Sequence, residues 1–256
     1  ERTRPYQDPK PVAANIDSVV LVIGPEPEPI SSLIDRYLIA AENANLDIIL
    51  LVNKYDLLLT LDRSNQKRSE IEALCALYSE LGYSVYFSST INNQLIDYQQ
   101  SLRSAAERAN TLSELFYNRN SILVGQSGIG KSSIINAVSP DSHAEIGEMS
   151  DATVKGKHTT TTSHLYFLSD AETTLNTGVI IDSPGIREFG LWHLSKHAVI
   201  DGMPELRNLA TQCKFRDCDH EHSNGCALQA AIENSEIPPS RISSYRQILE
   251  TLQNPS

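Results

Sequence analysis

Short apolar runs recur along the chain, and each indicates a strand buried in a sheet. The clearest are SVVLVI at Ser18–Ile23, which ends at Gly24 and Pro25, and DIILLV at Asp47–Val52. Because these runs are apolar throughout rather than alternating, they favour strands covered on both faces. Four further strands are predicted at residues 84–88, 121–124, 164–168 and 177–182.

Stretches with apolar residues at helical spacing lie between these runs and predict helices. The predicted helices cover residues 32–43, 69–81, most of 94–117, a segment that begins near Lys131, and residues 240–252. After Gly190 the pattern changes to short helices. Strands that alternate with helices predict an α/β fold with a mostly parallel sheet covered by helices on both faces.

The composition is that of an ordinary globular protein, with 40% hydrophobic and 21% charged residues among 256. No apolar run approaches the roughly 18 residues of a membrane span. The N-terminus lacks a signal-peptide core, so we expect a cytoplasmic protein without a membrane partner. The net charge of −11 argues against a surface coated in basic residues for duplex DNA.

A glycine-rich motif after the predicted strand at 121–124 has the pattern G-x-x-x-x-G-K-[ST], which is typical of phosphate-binding loops. Its backbone N–H groups surround a phosphate, its lysine reaches the β- and γ-phosphates, and its serine hydroxyl binds Mg²⁺. The alternative is a chance glycine-rich turn, which the strand before it and the helix after it disfavour. The candidate residues are Gly125, Gln126, Ser127, Gly128, Ile129, Gly130, Lys131, Ser132 and Ser133.

The sequence NKYD follows the DIILLV strand directly and has the N-K-x-D form of a guanine-recognition loop. The Asp56 carboxylate can accept hydrogen bonds from guanine N1–H and its 2-amino group, a donor pair that adenine lacks. Asn53 is expected to hold the loop, and Lys54 is expected to pack over the base. Tyr55, which lies between Lys54 and Asp56 in the sequence, is a further candidate of this motif. Ser88 and Ser89, after the next strand, are candidates for a further contact with the base.

Two segments after the phosphate loop are candidates for nucleotide-dependent switches. Asp182 and Gly185 form a D-x-x-G motif, in which Asp182 would hold the Mg²⁺ shell through water and the Gly185 N–H would bond the γ-phosphate. The next residue is Ile186, whose apolar side chain cannot orient the attacking water as the Gln found there in many GTPases does. Hydrolysis must therefore use another group, or be slow until a partner supplies one.

The other candidate switch is the threonine-rich segment GKHTTTT at residues 156–162. Thr159 or Thr160 would complete the Mg²⁺ shell in the GTP state, with Thr160 joining Ser132 as a magnesium ligand. His158 is a candidate for positioning the attacking water, and the alternative is a solvated loop histidine.

The order of these motifs is unusual, because the guanine loop at Asn53 precedes the phosphate loop at Gly125. An ordinary GTPase has the reverse order. Because a sheet tolerates circular permutation when its termini lie close together at the surface, the motifs predict a circularly permuted P-loop GTPase domain.

Three of the four cysteines cluster near the C-terminus in the pattern C-x₄-C-x-H-x₅-C. Three thiolates and one imidazole make a closed tetrahedral zinc site of the structural kind. His222 is an alternate ligand, and free thiols with surface histidines are the other reading. Cys75, in an apolar stretch, is expected to be a core thiol. The candidate zinc ligands are Cys213, Cys218, His220 and Cys226.

Together the motifs resemble the RsgA or YjeQ family, circularly permuted GTPases of small ribosomal subunit assembly. The resemblance extends from KPVAANID through NKYDLL, GQSGIGKSSIINA, GKHTTTTSHLY and IDSPGIREFGLWHL to the cysteine cluster. It implies GTP hydrolysis to GDP stimulated by the small subunit, contacts with rRNA and ribosomal proteins, and a role in late maturation. It also matches His158 to the family's switch histidine.

The resemblance also implies a domain organisation. Residues 1–9 would be the remnant of an N-terminal OB-fold RNA-binding domain, 10–192 the GTPase domain, and 193–256 a small, mainly helical zinc-binding domain. We expect a monomer. The runner-up function is a GTP-gated RNA- or ribosome-binding module with negligible intrinsic hydrolysis. A metal-dependent nucleic-acid enzyme is disfavoured because the zinc ligand set is closed.

Overall fold

A mixed sheet occupies the part of the chain that the computed structural model describes, namely residues 13–101, 111–139, 164–169, 176–183, 190–220 and 223–253. Its strands are β1 (Ser18–Ile23), β2 (Asp47–Val52), β3 (Ser84–Ser89), β4 (Gln94–Asp97), β5 (Asn120–Gly125), β6 (His164–Ser169) and β7 (Asn176–Asp182). They lie in the order β4-β3-β2-β1-β5-β7-β6. The central strands from β3 to β7 are parallel, and the edge strands β4 and β6 are antiparallel to their neighbours. The predicted mostly parallel α/β sheet is confirmed.

Helices connect the strands, and further helices follow the last strand along the chain. They are α1 (Ser31–Asn43), α2 (Tyr55–Thr60), α3 (Gln66–Glu80), α4 (Tyr98–Ser101), a 3₁₀ helix (Leu112–Phe116), α5 (Lys131–Val138), α6 (Lys196–Asp201), α7 (Pro204–Ala210), α8 (Ala227–Glu233) and α9 (Pro239–Gln253). The short helices predicted after Gly190 are therefore present. None of the described helices is long and apolar enough to cross a membrane.

The prediction of a mostly helical segment at 94–117 is wrong at its beginning. Residues 94–97 form β4, which pairs with β3 through Ser89 opposite Gln94 and Phe87 opposite Ile96. Leu95 and Ile96 are both buried, so the strand covers apolar surface on both faces of the sheet. Pairing with a distant strand, which local periodicity does not show, decides this conformation.

Contacts between residues divide the chain into two compact units. Among the described residues, the sheet unit comprises those within 13–29 and 47–187, and the helical unit those within 30–46 and 188–256. Helix α1 lies within the predicted GTPase domain, whereas its contacts with α6 and α9 group it with the helical unit. The boundaries at residues 9 and 192 stay a prediction.

The core of the sheet unit lies between the strands and the elements packed against them. It includes Val20 and Val22 of β1, Leu51 of β2, Ile134 of α5 and Phe116 of the 3₁₀ helix. Burial of these side chains gives the main favourable free energy of folding. The same core holds a residue of the phosphate loop, as described below, so packing fixes the position of that loop.

The helical unit contains a buried cation between three helices. Arg241 of α9 is 1% exposed and forms ion pairs with Asp35 of α1 and Glu205 of α7. Its Nε lies 2.5 Å from Glu205 Oε1, and its Nη2 lies 3.2 Å from Glu205 Oε2. A buried charge requires such partners, since an unpaired one is strongly destabilising. Arg241 therefore ties α1, α7 and α9 together.

Candidate functional site

The loops that carry the candidate residues leave the same edge of the sheet. β1 pairs in parallel with β2 on one side and β5 on the other, with Ile23 opposite Val52 and Val22 opposite Gly125. The guanine loop follows β2 and the phosphate loop follows β5, so both begin at the carboxyl end of a neighbour of β1. This edge is where ligands bind in open α/β sheets.

The phosphate loop is too crowded for side chains at two of its glycines. A Cβ on Gly125 would lie 2.4 Å from Val22 O, and one on Gly130 would lie 2.4 Å from Asn53 Nδ2. Both residues also have positive φ, 146° and 100°, which favours glycine. Between them Ile129 is fully buried in the core and anchors the loop. Glycine is therefore required at both positions.

Helix α5 begins directly after this loop and directs backbone donors toward it. Gly130 is the N-cap, and no side chain in the described part of the chain caps the first turn. The N–H groups of Lys131, Ser132 and Ser133 at this end are thus suited to an anion, which the helix dipole also favours. Ser132 and Ser133 are half-buried.

Lys131 is a buried and Asp182 a half-buried charged group of this site. Lys131 is 8% exposed, and its Nζ donates to Gly125 O at 3.1 Å and Gln126 O at 3.2 Å. Burial lowers the pKa of Lys131, and the charge of Asp182 opposes that shift. Burial raises the pKa of Asp182, and the charges of Lys131 and His164 oppose it.

Two oxygen-bearing side chains of the candidate site, Asp182 and Ser132, are of the kind that magnesium prefers. The Oδ1 atom of Asp182 is buried and has no hydrogen-bond partner in the described part of the chain. A hard cation such as Mg²⁺ prefers carboxylate and hydroxyl oxygens, and it would satisfy that orphaned oxygen. The half-buried hydroxyl of Ser132 is a second oxygen of the right kind. These donors fit Mg²⁺.

Asn53 and Lys54 bind the guanine loop to the phosphate loop. The buried Asn53 side chain donates from Nδ2 to Ile129 O at 3.1 Å. Lys54 Nζ donates to Gly128 O at 2.9 Å and to Glu26 O at 2.8 Å. Two motifs far apart in the sequence thus share direct hydrogen bonds. Burial lowers the pKa of Lys54, while the charges of Glu26 and Asp56 oppose this shift.

Two serines at the end of β3 hold the guanine loop from the other side. Ser88 Oγ donates to Asn53 Oδ1 at 3.2 Å, and Ser89 Oγ donates to Asp56 Oδ1 at 2.8 Å. Both serines are buried. The sequence placed them near the base but did not indicate these side-chain bonds, which fix the amide of Asn53 and the carboxylate of Asp56.

Two further residues, which no sequence motif indicates, shape this loop. Phe87 of β3 stacks on the ring of Tyr55, with centroids 4.5 Å apart and planes 25° apart. Glu26 supplies the carbonyl that accepts from Lys54. In the sequence, Phe87 looks like an ordinary core residue of a strand. The contact of Glu26 uses its backbone carbonyl, which every residue has. A motif therefore indicates neither residue.

Several predicted site residues lie outside the described part of the chain. They are His158, Thr159, Thr160, Gly185 and the alternate zinc ligand His222. Their roles stay predictions.

The predicted zinc ligands come together in the helical unit. The ligand atoms of Cys213, Cys218, His220 and Cys226 all lie within 4.8 Å of one another. Cys213 Sγ lies 3.5 Å from His220 Nδ1 and 3.9 Å from Cys226 Sγ. Two ligands at tetrahedral positions about 2.3 Å from zinc lie about 3.8 Å apart, so the cluster fits this ion.

The surroundings of the cluster suit metal ligands. Gln229 donates its backbone N–H to Cys226 Sγ at 3.4 Å and its side-chain amide to His220 O at 2.6 Å. Burial, followed by the charges of His197 and Lys196, lowers the pKa of His220. The imidazole is therefore held neutral, which is the form that binds a metal.

Comparisons with known proteins point to one family. Residues 1–192 match the family model described as RsgA GTPase. Two proteins named small ribosomal subunit biogenesis GTPase RsgA, from Marinobacter nauticus and Pseudomonas aeruginosa, are each 45% identical to the chain. These matches extend over 247 and 243 residues, 95% of this chain, which spans 63% and 65% of the two relatives.

Two solved structures share the fold. The crystal structure of YjeQ from Thermotoga maritima matches with a TM-score of 0.65 and 26% identity, covering 94% of this chain and 72% of that one. The structure of YloQ, a circularly permuted GTPase, matches with a TM-score of 0.64 and 26% identity, covering 94% of this chain and 70% of that one. The predicted circularly permuted GTPase fold is thereby confirmed.

Proposed function

Because the chain belongs to the RsgA GTPase family, we propose that it binds guanine nucleotide, hydrolyses GTP to GDP and phosphate, and acts in small ribosomal subunit maturation. One observation carries the nucleotide-binding part: the guanine loop and the phosphate loop are hydrogen-bonded to each other. Asn53 Nδ2 donates to Ile129 O and Lys54 Nζ donates to Gly128 O. One ligand can therefore contact both loops.

Each loop recognises a different part of the nucleotide. The first-turn N–H groups of α5 and the Lys131 ammonium bind the phosphates, where positive charge offsets the charge of the triphosphate. The Asp56 carboxylate accepts the N1–H and 2-amino donors of guanine. Adenine would leave this carboxylate without its donors, so the site selects against ATP.

Ser132 and Thr160 are the proposed protein ligands of Mg²⁺ beside the phosphates, and Asp182 would hold the Mg²⁺ shell through water. When bound, Mg²⁺ neutralises charge that develops on the β- and γ-phosphate oxygens. Ile186 cannot orient water through a hydrogen bond, so His158 is proposed for that step. Gly185 is proposed to donate its N–H to the γ-phosphate.

The cysteine cluster is proposed to bind zinc in a structural role. Cys213, Cys218, His220 and Cys226 supply four ligands, which leaves no position for substrate or a reactive water. In a segment of short helices with a small apolar core, such a metal supplies free energy of folding.

The proposed partner is the small ribosomal subunit, through rRNA and ribosomal proteins. The relatives' names support this, as does the resemblance of the motifs over nearly the whole chain. We propose a cytoplasmic monomer. Because the relatives are named GTPases, they favour an enzyme over the GTP-gated binding module that the sequence left open.

Single-turnover GTP hydrolysis with and without small ribosomal subunits tests this proposal. We expect slow hydrolysis by the chain alone and faster hydrolysis with small subunits, because a partner can complete a site that lacks a water-orienting Gln. Lys131→Ala, which removes the phosphate-binding charge, is the control and should be inactive under both conditions. Hydrolysis that small subunits do not accelerate would contradict the role in maturation, and Lys131→Ala turnover near that of the wild type would contradict the site.

A further inference from the structure

The guanine loop continues into a short helix. Helix α2 has six residues, Tyr55–Thr60, and its N-cap, Lys54, has a left-handed conformation and makes no side-chain cap. A helix this short is unstable by itself, so tertiary contacts must hold it in place. Leu57 and Leu59 are exposed, whereas Leu58 is buried.

At the start of this helix, the ring of Tyr55 supplies an aromatic contact to the sheet. It stacks on Phe87 with centroids 4.5 Å apart, and Phe87 also meets the ring of Tyr98 edge-on at 5.7 Å. Phe87 is 4% exposed and lies in β3. The ring of Tyr55 therefore rests on a residue that the sheet itself fixes.

The same strand binds the neighbouring residue of the guanine loop. Phe87 and Ser89 are two positions apart in β3, so their side chains lie on one face of the sheet. Phe87 contacts Tyr55, and Ser89 Oγ donates to Asp56 Oδ1 at 2.8 Å. Tyr55 and Asp56, which are adjacent in the loop, thus contact Phe87 and Ser89, which are neighbours on one face of the strand. These two contacts set both the position and the rotation of the Asp56 carboxylate.

We propose that Tyr55 is a positioning residue for guanine selectivity, whose stacking on Phe87 keeps the Asp56 carboxylate in the orientation that accepts both guanine donors. This inference rests on the proposed function. The Ser89 bond alone fixes one oxygen and leaves the carboxylate free to turn about it, whereas the ring stack fixes the backbone from which the side chain extends. The 2-amino group of guanine needs the second carboxylate oxygen of Asp56 as its acceptor. It is therefore the donor most sensitive to rotation of this carboxylate.

Competition between GDP and IDP for the nucleotide site provides the test, because inosine lacks the 2-amino group. The ratio of the two affinities, measured by displacement of a fluorescent GDP analogue, should fall about 3- to 10-fold in Tyr55→Leu. Tyr55→Phe keeps the ring and should keep the wild-type ratio. A general loss of stability would weaken GDP and IDP alike, so the ratio separates a positioning role from a structural one.

Tyr83→Leu is the matched control. Tyr83 is also a buried aromatic of the sheet unit, and its ring pairs with Tyr78 at 6.2 Å, but it precedes β3 at the end opposite the serines. The Tyr83→Leu substitution should lower the thermal unfolding midpoint and leave the ratio of GDP to IDP affinity unchanged. If Tyr55→Leu shows no cooperative unfolding, Tyr55→Gln replaces it, since glutamine suits the first turn of a helix.

An unchanged GDP-to-IDP ratio in a folded Tyr55→Leu or Tyr55→Gln variant would overturn this inference while leaving the proposed function intact. Wild-type protein that binds ADP as tightly as GDP would instead refute the guanine site itself, and the inference with it.

Discussion

A few polar and charged residues of the candidate site are buried although burial is unfavourable for them. Lys131 is 8% exposed, Asn53 is 1% exposed, and Asp182 has an oxygen without a partner in the described part of the chain. Such groups are destabilising unless hydrogen bonds or charges compensate. Hydrogen bonds with Ile129 O and Ser88 Oγ compensate for the burial of the Asn53 amide. Burial of the Lys131 and Asp182 charges stays unfavourable, as is common for groups that bind a ligand.

Asp182→Asn should stabilise the nucleotide-free protein at neutral pH and abolish GTP hydrolysis. Burial raises the pKa of Asp182, so the folded protein binds a proton more readily than the unfolded chain does. Its favourable contribution is present below the ordinary Asp pKa and is lost as pH rises through the raised folded value. The gain from asparagine should therefore appear at neutral pH and disappear in acid.

Denaturant unfolding of nucleotide-free protein at several pH values measures this difference. Equal free energies of unfolding for wild type and Asp182→Asn at neutral pH would show that partial burial of this carboxylate does not destabilise the folded protein.

Asp56→Asn should exchange the nucleotide preference of the site. The asparagine oxygen can still accept from N1–H, but its NH₂ group is a donor that faces the 2-amino donor of guanine, so that hydrogen bond is lost. Xanthine has an oxygen at position 2, which accepts from the same NH₂ group. Affinity for GDP should fall by about two orders of magnitude or more, and affinity for XDP should rise. Competitive binding of the two diphosphates measures both changes. GDP affinity equal to that of the wild type would refute the assignment of Asp56 to the base.

Among the elements, those with a strong local signal could be predicted from the sequence. The phosphate loop follows the apolar β5 and precedes α5, and the guanine loop follows β2, so both could be located. Helix α2 was missed because six residues show no clear periodicity. Strand β4 was predicted as helix because Leu95 and Ile96, adjacent apolar residues, suit either conformation, and pairing with β3 decides between them.

Contacts between elements could not be predicted in the same way. The bond from Ser89 to Asp56 joins residues 33 apart in the sequence. It exists because β2 and β3 are neighbours in the sheet. The order of strands is a property of the whole sheet, so no local pattern contains it.

The segment that holds the cysteine cluster should depend on its metal. Cys213→Ala should release zinc and lower the unfolding midpoint of the helical unit, because a ligand is lost from a closed set of four. Cys75→Ala is the matched control. Cys75 is fully buried, and burial, aided by Glu72, raises the pKa of its thiol to about 12, so it stays protonated and is no ligand. Metal analysis with calorimetry should show zinc lost only in Cys213→Ala, and full zinc retention there would refute the ligand set.

If the ion pairs of Arg241 hold α1, α7 and α9 together, removing them should lower the free energy of unfolding. Arg241→Leu leaves the carboxylates of Asp35 and Glu205 without their cation, and we expect a loss of about 3–5 kcal/mol in the free energy of unfolding. Adding Asp35→Leu and Glu205→Gln removes the unpaired charges and should recover much of that loss. Denaturant unfolding of the three proteins tests this. A single variant as stable as the wild type would show that the ion pairs do not hold the helices.

At the scale of the whole molecule, the reversed order of the motifs has no effect on where they meet. β1 lies between β2 and β5, so the loops after those strands are neighbours whichever comes first along the chain. The sheet thus accounts for how permuted motifs can form the candidate nucleotide site. The hydrogen bonds of Asn53 and Lys54 to the phosphate loop are the direct evidence for it.

Calorimetric titration of the nucleotide-free chain with GDP and with ADP, both with Mg²⁺, tests most directly whether these two loops hold one guanine nucleotide. We predict one GDP bound per chain, with ADP at least about 100-fold weaker because it lacks the donors for Asp56. Equal affinities for GDP and ADP would contradict the account.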